Sequence, residues 1–452
     1  MSRRFDIIVV GTGVAGSAIA RRCRAAGRKV AIVDERPFGG TCQLRGCDPK
    51  KVLRAMAEPL AAMERLAEPD IGVFSDLPVP DWRSLMAFKR RFTDPVPKAK
   101  ETAFAEAGIV MVHGTARFVG ADALDVGGEV LEADNFVIAA GSKPVPLPIH
   151  GADLVASSED FLNLDDLPRR IVLVGGGYIA MEFAHLAFRA SSEVTVLQRG
   201  ERLLGGFDPD LVDLLVERTH DLPVDIRPGT AVTVVERTES GFRVHADQEG
   251  RHLRFDADLV VHAAGRMPNI QGLDLEKAGV RTGKSGVEVD AHLRSVSNPR
   301  VFAAGDAAAS GMPLTPKASH DAEVIAANIL AGEALRRTDY AGMPSVVFSV
   351  PPLARVGLLE EEALAQGLLF RVNHAVTDDW FSARRLNETC SGHKVLIEEG
   401  SGRILGAHLV GPHADEVINL FALAIRHGIP AKALAETSFA YPTGGSDVSA
   451  MV

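Results

Sequence analysis

Continuous apolar runs, rather than alternating ones, mark the strands of this chain that are expected to be covered on both faces. Residues 5–10 form the first such run and end in the turn Gly11-x-Gly13-x-x-Gly16. Residues 17–26 then have helical character, and residues 30–33 return to the strand pattern, which completes one strand-helix-strand unit. A second unit has a strand at 171–174, a turn Gly175-x-Gly177-x-x-Ala180, a helix at 179–190 and a closing strand at 194–197. The two units lie about 165 residues apart, and each turn aims a helix N-terminus at one pyrophosphate, so two dinucleotide sites are expected.

Two further apolar segments read as strands leading into loops. Residues 257–264 run into Gly265-Arg266-Met267-Pro268-Asn269, and residues 301–304 run into Gly305-Asp306. Residues 340–345, with Gly342 and Pro344, read as a linker. Beyond it, strand patterns at 395–397 and 404–410 precede a helix over 414–427, which predicts an α+β terminal domain. The fold class is therefore α/β, with two Rossmann-like domains and a C-terminal α+β domain.

Composition narrows the function. At 452 residues, the chain is long enough for two to four domains of roughly 100–200 residues each. Its 46% hydrophobic and 24% charged residues match a globular protein. A net charge of −10 argues against a phosphate-backbone binder, so no nucleic-acid partner is expected. Arg3-Arg4 before an apolar run imitates a signal peptide, but Asp6 interrupts it. With no uninterrupted apolar stretch of about 20 residues, no membrane partner is expected and a cytoplasmic location is. Four cysteines without a framework spacing suit a reducing compartment, and the fourteen histidines offer no zinc-like spacing, so no metal site is expected.

The chemistry concentrates where the first turn meets Gly39-Gly40-Thr41-Cys42-Gln43-Leu44-Arg45-Gly46-Cys47. Five residues of regular helix rise about 7.5 Å, too far for a disulfide, so Cys42 and Cys47 can join only if the backbone is distorted, and Gly46 permits that. A helix start, Arg45 and Lys51 favour thiolate over thiol; two inert buried thiols are the alternative. Asp34, 18 residues after Gly16 at a strand end, suits ribose hydroxyls. The second unit carries Gln198 at that place, followed by Arg199 and Arg202, which suits the 2′-phosphate of NADPH better than NADH. Solvated loop charges are the alternative for the arginines. Asp306 reads either as a ligand for ribityl or ribose hydroxyls or as a helix cap.

Taken in order, these motifs resemble the pyridine nucleotide-disulfide oxidoreductases, the flavoprotein family of glutathione reductase, dihydrolipoamide dehydrogenase and mercuric reductase. The resemblance rests on the Gly11–Gly16 turn, Gly40-Thr41-Cys42-x4-Cys47-x-Pro49-x-Lys51, Ala140-Gly141-Ser142, the Gly175–Ala180 turn with Glu182, Gly265 to Asn269, Ala304-Gly305-Asp306, Leu314-Thr315-Pro316 and Pro442-Thr443. It implies FAD held by Gly11, Gly13, Val14, Ala15, Gly16, Asp34, Glu35, Gly40, Thr41 and Lys51. Gly114, Ala140, Gly141, Ser142, Asp306, Leu314 and Thr315 would complete that site. The nicotinamide cofactor would meet Gly175, Gly177, Tyr178, Ile179, Glu182, Gln198, Arg199, Arg202 and Gly265. An FAD domain would span 1–150 and 269–338, an NAD(P) domain 151–268, and a dimerisation domain 344–452.

The resemblance further implies that electrons reach a Cys42–Cys47 disulfide through the flavin, with Cys47 beside the ring and Cys42 facing the acceptor. Lys51 and Glu182 would pair beside the flavin, and a homodimer would complete each active site. In one place the pattern departs. Disulfide-reducing relatives carry a His-Pro-Thr run followed by Glu, whereas this chain has Tyr441-Pro442-Thr443, with Ser446 at the glutamate position. A phenol with a reference pKa near 10 donates a proton but is a poor base. Acceptors that need little proton help follow: a small disulfide with a stabilised leaving thiolate, an activated sulfur species, or a thiophilic metal ion. No cysteine follows Cys390, unlike the C-terminal pair of mercuric reductases. Reduction of metal ions or quinones, and a redox sensor, are the competing readings.

Overall fold

The computed structural model describes residues 3–452. They form two compact units. The first is built from residues up to Lys51, Ala87–Val145 and Arg266–Tyr340. The second is built from Val52–Met86, Pro146–Gly265 and Ala341–Val452.

In the first unit, strand Arg3–Val10 lies between Val30–Asp34 and the long strand Glu129–Ile138, parallel to both. Val110–His113 and Val301–Ala303 extend the parallel part, and Ala123–Val126 and Ala116–Gly120 add an antiparallel edge. Ile7 and Val9 enter a cluster with Ile19 of helix Val14–Ala25 and Ile325 of helix Thr315–Ala331. Ile8 and Val10 enter a different cluster, with Phe118, Leu124 and Val301. The unbroken apolar run thus arises because alternate side chains serve two cores, each fully buried aliphatic contributing about 1.5–3 kcal/mol.

The second unit repeats the device. Its parallel sheet runs in the order Val224–Arg227, Glu193–Leu197, Arg170–Val174, Leu259–His262. Ile171 and Leu173 pack with Ala180 and Phe183 of helix Tyr178–Arg189. Val172 and Val174 face Val235, Val244 and Ala246 of an antiparallel sheet formed by Thr230–Thr238, Gly241–Gln248 and Arg251–Ala257. The unit also contains a five-stranded antiparallel sheet whose face is covered by helix Ala414–His427 through Ile418 and Phe421. The predicted α/β class with an α+β terminal portion is what forms. The helices begin earlier than their sequence pattern, at Val14 and Tyr178, because each starts directly after the extended Gly13 or Gly177.

Candidate functional site

Both glycine turns are built by contacts that exclude a side chain. A Cβ on Gly11 would lie 2.2 Å from the Ala139 carbonyl oxygen, and one on Gly16 would lie 2.0 Å from that of Gly11. In the second turn a Cβ on Gly175 would come within 2.4 Å of the Ala263 carbonyl oxygen. Gly13 and Gly177 start their helices without any side-chain cap, which leaves first-turn N–H groups around Val14, Ala15, Tyr178 and Ile179 for an anion. Each turn is locked by one bond from the strand end opposite. The Thr12 backbone N–H donates to Asp34 Oδ2 at 2.9 Å, and the Gly176 N–H donates to Gln198 Oε1 at 2.9 Å. Thr12, not singled out from the sequence, adds its hydroxyl to Asp34 Oδ2 at 2.6 Å and accepts the Gly39 N–H at 3.1 Å.

The thiol segment is pressed against the first turn. Gly40, at φ +71°, approaches Gly13 so closely that a Cβ would stand 2.4 Å from the Gly13 Cα. The helix Gly40–Arg45 stops, Gly46 takes φ −146° and ψ −106°, and a new helix Cys47–Leu66 begins. This is the distortion that the cysteine spacing demands. A side chain on Gly46 would sit 3.1 Å from the Thr41 carbonyl oxygen.

Cys42 and Cys47 stand here as free thiols, the reduced form of the pair. The Thr315 hydroxyl donates to Cys42 Sγ at 3.3 Å and lies 3.6 Å from Cys47 Sγ. The hydrogen bond from Cys42, assisted by Thr315, Lys50 and Lys51, pulls the Cys47 thiol down to about 6. For Cys42 the same hydrogen bond, burial and the negative charges of Cys47 and Asp48 act the other way and push it far above the ordinary thiol value. The expected lowering therefore holds for Cys47 and reverses for Cys42, because a pair this close takes one negative charge at a time. Lys50 contributes to Cys47 alongside the anticipated Lys51.

Asp306 lies in the first turn of the short helix Gly305–Ala307, after the capping position held by Ala304. Its Oδ2 accepts the Ser142 hydroxyl at 2.7 Å, and Arg266 donates to Ser142 Oγ at 3.0 Å and to its carbonyl at 2.7 Å. Gly141, at φ +68°, accepts the Asn269 N–H, so segments Ala140–Ser142 and Arg266–Pro268 are tied side by side. Leu314 leads into helix Thr315–Ala331, which is fastened to Gly305 from beneath. The buried Lys317 donates to the Gly305 carbonyl at 3.1 Å and to Asp321 Oδ2 at 2.8 Å, while Asp321 Oδ2 also accepts the Gly305 N–H at 2.8 Å. Tyr340, read from the sequence as linker, donates its hydroxyl to Asp321 Oδ1 at 2.7 Å. Arg266 stands inside a motif and Lys317 next to one, yet neither motif names its partner, and Asp321 lies outside both.

The other anticipated residues fall as follows. Glu35 is exposed and accepts the Thr115 hydroxyl at 3.0 Å, next to Gly114, whose φ is +154°. Glu182 is 5% exposed, inside helix Tyr178–Arg189. Arg199, Arg202 and Gly265 are exposed, and the Arg202 carbonyl accepts the Gln198 amide at 3.1 Å. Tyr441 is 76% exposed and stacks on Phe381, with ring centroids 6.2 Å apart. Ser446 is committed to Thr443: their side chains cap each other's backbone N–H groups at 3.3 Å, and Ser446 Oγ donates to the Thr443 carbonyl at 2.6 Å. It holds the loop rather than Tyr441.

Among the described residues no helix is long and apolar enough to cross a membrane. Comparisons with known proteins agree with this architecture. Residues 5–322 match the model of the pyridine nucleotide-disulphide oxidoreductases, and residues 343–451 match the dimerisation domain of that family. The chain is 34% identical to a glutathione reductase of Burkholderia cepacia, over 93% of this chain and 92% of the relative. It is 30% identical to a mercuric reductase of Staphylococcus aureus, covering 97% and 80% respectively. Among solved structures, it resembles a Cu(II) complex of the HOCl-induced flavoprotein disulfide reductase RclA from Escherichia coli, with a TM-score of 0.86, 27% identity, and coverage of 100% of this chain and 99% of that one. The two uncapped glycine turns, the paired sulfurs and these similarities over the whole length have one reading: the chain belongs to the pyridine nucleotide-disulphide oxidoreductases, FAD-dependent enzymes that use a pyridine nucleotide and act on sulfur groups.

Proposed function

We propose that this enzyme is an NADPH-dependent, homodimeric, cytoplasmic reductase that passes electrons through Cys42 and Cys47 to a small disulfide acceptor. The observation that carries the reading is the division of labour between two adjacent sulfurs: Cys47 is stabilised as thiolate and Cys42 is held as thiol, with Thr315 touching both. Bound FAD would supply the two-electron link between the nicotinamide and the sulfur pair. Gly11, Gly13, Gly16 and the first turn of helix Val14–Ala25 would hold its pyrophosphate, Asp34 a ribose, and Asp306 the ribityl chain. Arg199 and Arg202 would meet the 2′-phosphate of NADPH, because the neutral Gln198 beside them repels no anion.

The acceptor side lacks a strong base in this reading. Tyr441 would complete the thiol site of the other subunit and offer a proton, while Ser446, already engaged with Thr443, leaves it unsupported. Cys42→Ser tests the whole route. Disulfide reduction should vanish while NADPH-dependent reduction of a one-electron dye persists, and unimpaired disulfide turnover would overturn the proposal. The exposed Tyr441 and the Cu(II) complex of a similar enzyme favour a second reading, reduction of a thiophilic metal ion. Copper-dependent NADPH oxidation that requires Cys42, exceeding turnover with every low-molecular-weight disulfide tried, would select it.

A further inference from the structure

Asp48 has no place in the route described so far, yet its Oδ1 lies 3.8 Å from Cys42 Sγ, the sulfur assigned to the acceptor. It occupies the first turn of helix Cys47–Leu66, where the helix N-terminus favours its charge. The break at Gly46 sets this position beside the preceding helix Gly40–Arg45 and hence beside Cys42. The groups that act on Cys42 are the Cys47 thiol and the Asp48 carboxylate, while Arg45 on its own helix and Lys50 and Lys51 on the next lie close by in sequence. Helix Thr315–Ala331 adds only the Thr315 hydroxyl, because Lys317 turns to Gly305 and Asp321. Lys50 and Lys51 act on Cys47, whereas Asp48 acts on Cys42, so the two sulfurs meet opposite charges.

The geometry points to Asp48 as a specificity-determining carboxylate beside the Cys42 S–H, a second acceptor for the one hydrogen that Cys47 also takes, which helps to keep the acceptor-facing sulfur protonated, so that the reduced enzyme reacts with activated disulfides and passes over ordinary alkyl ones. This deepens the disulfide-reductase reading and rests on it. The pair, reduced by two electrons, holds Cys47 S⁻ and Cys42 S–H. Cys42 sulfur attacks one acceptor sulfur, its S–H bond breaks as the mixed disulfide forms, and the proton leaves with the departing thiolate as a free thiol. Cys47 S⁻ then attacks the Cys42 sulfur, the Cys42–Cys47 disulfide re-forms, and the second acceptor thiolate takes a proton from solvent. A carboxylate beside Cys42 disfavours the transient negative charge of the first step. That step is then fast only when the leaving thiolate is itself well stabilised.

The test is a labelling experiment on the FAD-loaded, phosphine-reduced dimer, using neutral iodoacetamide and mass mapping of each cysteine across a pH series. Asp48→Asn should speed Cys42 labelling near pH 7 by about three- to tenfold and move its midpoint to lower pH, while Asp48→Glu keeps the wild-type profile. The ratio of kcat/KM for an alkyl disulfide over a nitro-substituted aromatic disulfide should rise by at least about threefold in Asp48→Asn. Unchanged or slower Cys42 labelling in Asp48→Asn, or an unchanged ratio, would overturn the assignment. Failure of the disulfide-reductase reading shows separately, as disulfide turnover that survives Cys42→Ser.

Discussion

The two glycine turns share one lock and differ in its charge. In each, the N–H that follows the first glycine donates at 2.9 Å to a side chain at the end of the neighbouring strand, Asp34 in one case and Gln198 in the other. Backbone geometry is thus satisfied equally well by a carboxylate and by an amide, which frees the charge to serve the ligand. Asp34 has Oδ1 to spare beyond the Arg36 N–H, and that suits a sugar hydroxyl. Gln198 spends its amide on the Arg202 carbonyl and is followed along the chain by the exposed Arg199 and Arg202, which suits an added phosphate in the proposed reading. Architecture explains why the two turns look alike; what differs between them is the charge of the acceptor, a carboxylate in one and an amide in the other.

Breaking the turns should have the largest effect. Gly16→Val forces a Cβ to within 2.0 Å of the Gly11 carbonyl oxygen and should yield protein without flavin, read from the visible spectrum after purification. Gly175→Ala meets Ala263 at 2.4 Å and should leave flavin bound while reduction by either nicotinamide slows at least about a hundredfold. Exchanging the charge is the next largest change: Gln198→Glu should lower the ratio of NADPH to NADH kcat/KM by about 10–100-fold. A ratio that stays constant removes Gln198 from cofactor choice. Arg199→Ala should raise the KM for NADPH by about tenfold and spare NADH, since it removes a phosphate partner alone. The smallest change is thermal. Thr12→Val deletes a hydroxyl bonded to Asp34 and Gly39 and should cost about 1–3 kcal/mol in the first unit, visible as a lower Tm, whereas the second turn has a glycine, Gly176, at that place and offers no counterpart.

A pH series separates the sulfurs in the same spirit. Cys47 is the group with the lowered value, so its labelling by a neutral alkylating reagent should be half-maximal near pH 6, level off about one unit above and approach a tenfold fall per pH unit below. Cys42 should label only at alkaline pH. Identical midpoints for the two residues would remove the division of labour on which the proposed route depends.

Much of this was legible in the sequence wherever the cause is local. Residues 7–10 read as a strand because both faces are buried, and helix Ala414–His427 shows its bounds because its apolar stripe ends at Gly428. The cysteine spacing foretold a backbone break because the constraint is geometric and lies within six residues. Helix Trp82–Thr93 escaped notice because Lys89, 1% exposed, occupies an inward position while Phe88 and Phe92 point to solvent. The antiparallel sheet over residues 230–257 is hard to read from sequence because its strands carry charges on their outer positions and few of its inner residues, among them Val235, Val244, Ala246 and Ala257, are fully buried. The Arg266–Ser142–Asp306 chain joins three segments separated by 124 and 164 positions, and nothing in any one of them names the others. Likewise the contact of Asp48 with Cys42 appears only once the break at Gly46 has set the direction of the second helix.

A hydroxyl owns one hydrogen, and that of Thr315 has two sulfurs within reach, at 3.3 and 3.6 Å. In the proposed route the reduced pair carries its charge on Cys47 and the closed pair carries none, so rotation about a single C–O bond would turn that hydrogen toward Cys47 in one state and release it in the other. On that route Thr315 would act as a rotor answering the oxidation state of its neighbours, and a valine of nearly the same shape would leave the pocket filled but unable to follow that movement.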